Sequence, residues 1–433
     1  GQGYRSTFDH KDEIATAGYY SVMLKDYNVK AELTATPRVA FQRFTFHKSD
    51  ASHILFDIGN RQGESGPAVD AFVRIKGNDL VEGWVTTLPT YSNKYQSGAT
   101  ITMYFSARLD KPADSFGTFV KETVQKNNRE IEGIGAGAYL TYNTQDNELI
   151  TAKVGLSYTS VDNARLNRET WEEYLGRMRV ETPVKEDKIK FYTGLYHALL
   201  GRGLASDVNG AYPKNDGTIG QLPLKDGKPA FSFYNTDGIW GGQWNLIQVW
   251  ALAYPEYLSD YVSTHVQVYK DTGWLGDGIA CSRFVSGVGT NQLGNVIAAA
   301  YLCGIRDFDV ENAYAAARKN ELEGENRPMG AGKLDTDKFV EYGYVPHMDK
   351  GEGADEAWMF SASHTLEYSF GAYAVGQMAK ALGKTDDYNV LMDLSKGWER
   401  IYNAESNLIQ PKYADGRFIS NFDPMQVWRG FQE

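Results

Sequence analysis

Two cysteines in 433 residues, Cys281 and Cys303, are too few for a disulfide framework and give no zinc-ligand spacing, so both read as buried thiols. Long apolar runs are missing as well. No stretch approaches the roughly 20 residues that a membrane-spanning helix needs, which argues against a transmembrane segment. Positive charge is in deficit: a formal net charge of −11, without a basic stripe interleaved with aromatics, makes nucleic acid a poor partner. No charged-then-apolar leader opens the chain at Gly1, so a signal peptide is either removed or was never there. No pattern specifies an oligomeric state.

What is present points to two domains, because one hydrophobic core does not grow to this length. Aromatics are plentiful, with 28 Tyr, 20 Phe and 9 Trp, and aromatic faces serve as stacking platforms for sugar rings as well as core filling. Up to about residue 160 the apolar residues recur with period two. Ala31–Ala35, Ile101–Phe105 and Ala152–Tyr158 alternate, and strands also fit Phe41–Phe46, Ile54–Ile58, Ala71–Ile75 and Ala138–Tyr142. Turns such as Gly77-Asn78-Asp79 between short strands favour an antiparallel β-sandwich. After Asn167 the period becomes helical. Helices fit Glu172–Arg179, Ile189–Leu200, Trp244–Leu252, Leu258–Tyr269, Asn295–Leu302, Val310–Lys319 and Asp387–Tyr402. The clearest spans Thr365–Leu382, where Leu366, Phe370, Ala374, Met378 and Leu382 recur every four residues as its expected apolar face. Helices joined by long Gly- and Asp-rich loops predict an α/α toroid with those loops gathered at one end, where binding chemistry usually sits.

Several segments combine carboxylates, aromatics and glycines. Asp237 and Trp240 stand in Tyr234–Trp244, where glycines let backbone approach a ligand and indole rings can stack on a sugar; Asp237 reads equally as a helix N-cap. Trp274 and Asp277 repeat the theme in Asp271–Gly278. His364 and Glu367 open the clearest helix, where a first-turn carboxylate is also explained by the helix dipole. Asp423 sits before Pro424 in a turn that needs no function to explain it. The loop Ala205–Pro213 lacks the order of a calcium-binding loop and reads as a polar turn, and Ser286–Asn291 lacks the lysine and strand context of a phosphate cradle. Glycoside hydrolysis needs two carboxyls across the scissile bond, roughly 6.5–9.5 Å apart in inverting enzymes.

The wording of the chain resembles the α-mannosidases of glycoside-hydrolase family 92. The resemblance is carried by Asp12–Val22, Lys30–Arg38, Leu195–Leu200, Ala253-Tyr254-Pro255-Glu256, Thr365-Leu366-Glu367-Tyr368 and Gln377–Gly383, in the family's order over nearly the whole chain. It implies a multidomain β + α protein: a sandwich over residues 1–162, a helical linker over 163–185 and an (α/α)6-type catalytic toroid over 186–433. It also implies an exported, periplasmic or extracellular enzyme that removes α-linked mannose, α-1,2 in particular, from a glycan or oligosaccharide with inversion, assisted by Ca2+. Carried over to this chain, Asp423 looks like the base and Glu367 like the calcium ligand. Asp277 stands in as acid, and Asp237, Trp240, Trp274 and His364 as substrate-binding residues. Three departures from the family pattern follow. Trp240-Gly241 replaces a Trp-Asp pair, Arg283-Phe284-Val285 lies where the family's acidic Glu is carried, and Gly371-Ala372 replaces two acids. The family's Gly- and His-rich opening segment is expected before Gly1, and further helix beyond Glu433. A glycan-binding relative without turnover, or a glycosidase of altered substrate, are the alternatives these departures leave open.

Overall fold

The computed structural model describes residues 4–16, 19–35, 39–59, 65–166, 191, 203–236, 238–239, 242–286, 289–353, 355–420 and 422–425. It divides into two compact units, Gly1–Asn235 and Thr236–Glu433. Most of the linker expected over 163–185 lies outside the described residues, as do the helices expected at 172–179 and, except for residue 191, 189–200. Residues 203–235 belong to the first unit.

The first unit is an antiparallel sandwich of two sheets. Its strands are β1 (Ile14–Thr16), β2 (Tyr19–Leu24), β3 (Val29–Ala35), β4 (Val39–Phe46), β5 (Ser49–Asp57), β6 (Ala68–Lys76), β7 (Leu80–Thr87), β8 (Ile101–Leu109), β9 (Ser115–Val120), β10 (Thr123–Lys126), β11 (Glu130–Glu132), β12 (Ala136–Thr144) and β13 (Glu148–Ser157). Two short helices accompany them, α1 (Thr90–Tyr95) and α2 (Val161–Leu166). The larger sheet runs β1-β2-β3-β4-β13-β8-β7-β6-β11 and the smaller β10-β9-β12-β5. Period two does what the sequence predicts. Val73 and Ile75, Phe105, Ala107 and Leu109, Ala138, Leu140 and Tyr142, and Ile150 and Ala152 step by two and meet in one core drawn from both sheets. The predicted turn at Gly77 joins β6 to β7 with a positive φ of 60°, which glycine adopts without strain.

The most deeply buried carboxylate described in this unit is Glu82. Glu82 on β7 is fully buried and accepts from Arg165 on α2, with Arg74 and Lys76 at 3.3 and 3.2 Å. Burial alone would raise its carboxyl, but the Arg165 and Lys76 bonds and charges outweigh that and hold it down at about 2. Gly155 lets α2 lie against β13, because a Cβ there would overlap the Ala164 carbonyl. The loop at Ala205–Pro213 is a polar turn with a structural task. Asp207 accepts from Ser157 Oγ at 3.0 Å and Asn163 Nδ2 at 3.1 Å, and also from Thr159.

The second unit is helical, with described helices α3 (Leu246–Ala253), α4 (Pro255–Thr272), α5 (Leu293–Leu302), α6 (Val310–Leu322), α7 (Thr336–Tyr342), α8 (Ala357–Ala381), α9 (Thr385–Leu394) and α10 (Gly397–Arg400). α8 is the central member and packs against α5, α6, α9 and α10. Its buried face differs from the expected stripe. Leu366 and Phe370 are 42% and 49% exposed, whereas Thr365, Tyr368, Ala372, Val375 and Ala379 are buried. The reason is rotation: at 3.6 residues per turn, positions four apart drift by about 40° each, so the stripe from Leu366 to Leu382 winds roughly 160° around the axis. The helix expected at Asp387–Tyr402 is two, α9 and α10. At the break Gly397 comes so near the Gly343 carbonyl and Ser369 Oγ that a Cβ would lie 2.7 Å from each. Cys281 is buried as expected, its thiol pushed up to about 12 by burial; Cys303, at the exposed end of α5, is not.

Candidate active site

Loops and helices of the second unit carry the described chemistry-bearing residues. After α4, whose C-terminus is closed by Gly273 in the left-handed region, the chain enters a hairpin of Gly278–Ala280 with Arg283–Val285. Cys281 and Ser282 form its turn with φ of 48° and 60°, the paired left-handed geometry that suits a tight hairpin. Asp277 lies at the mouth of the hairpin. It is buried, accepts from Ser286 Oγ at 2.9 Å, and its amide donates to Gly330 O at 3.1 Å. Trp274 has the Lys319 ammonium 4.0 Å from its ring centroid, so a cation of the protein itself covers part of the indole surface expected to stack on sugar. Phe284 is buried on the second strand of the hairpin.

The start of α5 joins this hairpin to α8. Asn291 donates to Leu275 O at 3.0 Å, and its own carbonyl accepts from Asn320 of α6 at 2.9 Å. The next residue, Gln292, donates through Nε2 to Glu367 Oε2 on α8 and accepts from Asn295 Nδ2. Asn295 Nδ2 also donates to Gln243 Oε1 at 2.9 Å. A row Gln243–Asn295–Gln292–Glu367 results, three amides and one carboxylate. Asn295 Oδ1 and Gln243 Nε2 are buried there with no hydrogen-bond partner among the described residues. Such orphans in a native interior ask for an explanation, an ion or ordered water being the usual ones.

The helix-dipole alternative for Glu367 fails. α8 begins at Ala357, with a kink at Phe360, so Glu367 lies well inside the helix rather than in its first turn. His364, one turn earlier, is buried and faces Asp335: Nδ1 is 3.2 Å from Asp335 Oδ2, and the ring stacks on Tyr368 at 5.4 Å. Asp335 also accepts from the amides of Asp355 and Glu356, which binds the entry of α8 to the start of α7. Deep burial, with the charge of Asp335, raises the Tyr368 hydroxyl well above its usual value, and it donates to Leu334 O.

Asp423 is exposed, and its Oδ1 accepts from Met425 N at 2.9 Å across Pro424. The preceding residue, Phe422, packs on a small core of Tyr344, Ala362 and Ile401, which sets the turn beside the first half of α8. A hydrogen-bonded path thus runs from the Leu275 carbonyl, next to Trp274 and two residues before Asp277, through Asn291 and the adjoining Gln292 to Glu367, with His364 one turn earlier on α8 and Asp423 in a separate turn. Asp237 and Trp240 lie outside the described residues. The sequence reading missed Gln243, Gln292, Asn295, Glu321, Lys333 and Asp335. One signal was available: Asn295 is the one amide in the otherwise apolar run Leu293–Leu302.

Residues 1–157 match the glycosyl hydrolase family 92 N-terminal domain and residues 150–433 the glycosyl hydrolase family 92 catalytic domain. The chain belongs to glycosyl hydrolase family 92. A family 92 α-mannosidase from Bacteroides thetaiotaomicron has the same fold, with a TM-score of 0.85 at 24% identity over 100% of this chain and 57% of that one. A family 92 inverting mannosidase from the same species aligns with a TM-score of 0.81 at 20% identity, over 99% and 57%. An uncharacterized secreted glycosidase of Arthroderma benhamiae is 26% identical over 95% of this chain and 52% of its own length. This family 92 chain therefore spans about half the length of the relatives it matches. Among its described residues no helix is long and apolar enough to cross a membrane.

Proposed function

We propose that the chain carries the active region of a calcium-assisted, inverting glycosidase that removes α-linked mannose, with α-1,2 linkages as the first to test. The observation that carries the reading is the Gln243–Asn295–Gln292–Glu367 row, with the buried, unpartnered Asn295 Oδ1. Its donors fit Ca2+ in kind: calcium takes hard oxygen ligands, carboxylate and amide carbonyl among them. Among the described residues no three acidic, His or Cys side chains gather to hold a metal, so this reading gives amide oxygens part of the ligation. Glu367 would be the charged ligand, with Gln292 and Asn295 beside it. When bound, the ion would supply Lewis-acid polarisation of sugar hydroxyls.

The chain's own groups supply the rest. Asp277, buried behind Ser286, is the candidate proton donor, a role that requires it to keep its proton near neutrality. Asp423, open to water, is the candidate base. Asp335 holds His364, and through it the wall of α8 that presents Glu367. The named activities of the structural neighbours, an α-mannosidase and an inverting mannosidase, support substrate and stereochemistry, and the secreted relative supports export to the periplasm or beyond the cell. A second reading, a glycan-binding protein without turnover, is favoured by the buried Phe284 in the segment where the family resemblance expects an acid.

Release of aryl leaving groups from α-mannosides, with and without chelator, decides between the readings. Hydrolysis that chelator abolishes and calcium restores is the expected result. Mannose binding with no turnover by the calcium-loaded, full-length protein would select the binding reading instead.

A further inference from the structure

A deeply buried lysine–glutamate pair of the second unit lies beside the Glu367 row. Glu321, near the end of α6, accepts from Lys333 Nζ at 2.5 Å, and the two side chains are 2% and 1% exposed. Ion pairs this deep stabilise weakly, because desolvation consumes most of the attraction, so their retention asks for another reason. Their surroundings suggest one. The Glu321 carboxylate lies between two helix glycines. A Cβ on Gly294 of α5 would stand 2.5 Å from Oε1, and a Cβ on Gly371 of α8 would stand 2.5 Å from Oε2 and 2.6 Å from Lys333 Nζ. Both glycines flank the Gln292–Glu367 bond, Gly294 two residues after Gln292 and Gly371 one helical turn after Glu367. Oε1 has no partner among the described residues, and Lys333 also stands 5.0 Å from the Tyr368 ring.

We propose that Glu321, held by Lys333, is a positioning residue for the cation site. Its carboxylate sets the separation of α5 and α8 at the two glycines, and that separation sets how Gln292 and Asn295 meet Glu367. The inference rests on the calcium reading above. It assigns Glu321 no contact with metal or sugar. Removing the charge should leave the ligands present but misplaced, and supporting residues around metal ligands typically change affinity by about 10–100-fold.

Calorimetric titration of the chain with calcium chloride tests it. Glu321→Gln and Lys333→Met are each expected to weaken calcium binding by about tenfold or more. In the transposed variant Glu321→Ala/Gly371→Asp, Lys333 receives a carboxylate from α8 instead of α6, and calcium affinity should return close to that of the parent. If Glu321→Gln folds, melts earlier in chelator, and binds calcium as the parent does, the pair only packs the unit and the proposal is overturned. Where the single variants do not fold, the transposed one decides: folding without recovered calcium affinity overturns the proposal. A parent chain that takes up no calcium removes the metal reading and this proposal together, and titration of the parent alone tells that result from the others.

Discussion

At the residue scale, the candidate site depends on side chains whose roles differ by surroundings more than by type. Asp277 and Asp423 are both aspartates, one enclosed beside Ser286 and one open to water in a pre-proline turn. If they act as donor and base, their removal should differ with leaving group. Asp277→Asn should cut turnover of poorly activated substrates by about 10²–10⁴-fold and spare substrates whose leaving group needs no proton, whereas Asp423→Asn should slow both. Equal loss on both substrates in Asp277→Asn would take the donor role from it. Asp277 and Glu367 stand out in the sequence as candidates because a carboxylate among glycines or in a strong helix draws notice. Gln292 gives no such signal and Asn295 only its place as the one amide in an apolar run, because an amide gains its meaning from what it meets, and their partners Glu367 and Gln243 are remote in the chain. Lys333 and Asp335 were invisible for the same reason: a charged residue in a loop reads as solvated until the loop is seen to be buried.

At the scale of elements, periodicity predicted kind better than facing. Every strand read from the sequence in the sandwich exists, because alternation over a half-buried strand leaves no freedom about which side is apolar. α8 was read over Thr365–Leu382 and exists from Ala357, but its apolar repeat of four selected a winding path rather than a face, so Leu366 and Phe370 emerged exposed. The break between α9 and α10 was unreadable because its cause is tertiary: Gly397 permits a contact with the Gly343 carbonyl and Ser369 that no local pattern announces. Gly397→Ala is therefore expected to destabilise the chain by about 1–3 kcal/mol through overpacking, despite the better helix propensity of alanine. A chemical denaturation midpoint at or above that of the parent would show that the close approach is not what interrupts the helix.

At the scale of the whole molecule, the acidic balance of −11 coexists with carboxylates held far below their ordinary range, and these govern behaviour in acid. Glu82 and Glu32 are each held at about 2, Glu82 by Arg165 and Lys76 against its own burial, Glu32 chiefly by Arg43 and Tyr19. A depressed carboxylate contributes stability that is fully present above its unfolded value, near 4.5, and is lost as pH falls from there through about 2. The sandwich should accordingly hold its melting temperature down to about pH 5 and lose it steeply below. Glu82→Gln should flatten that fall and cost about 2 kcal/mol at neutral pH. That is less than for a wholly enclosed pair, because Arg165, Arg74 and Lys76 keep a third or more of their surface in water. An unchanged acid profile in Glu82→Gln would shift the cause to other groups. The two glycines beside Glu321 carry a consequence of another order, for how such a chain changes over generations. An acidic side chain cannot enter at position 371 while Glu321 fills that space, and Glu321 cannot leave first without stranding an ammonium ion in the interior. Either change alone leaves a crowded or unpaired intermediate, so the two positions are expected to vary together.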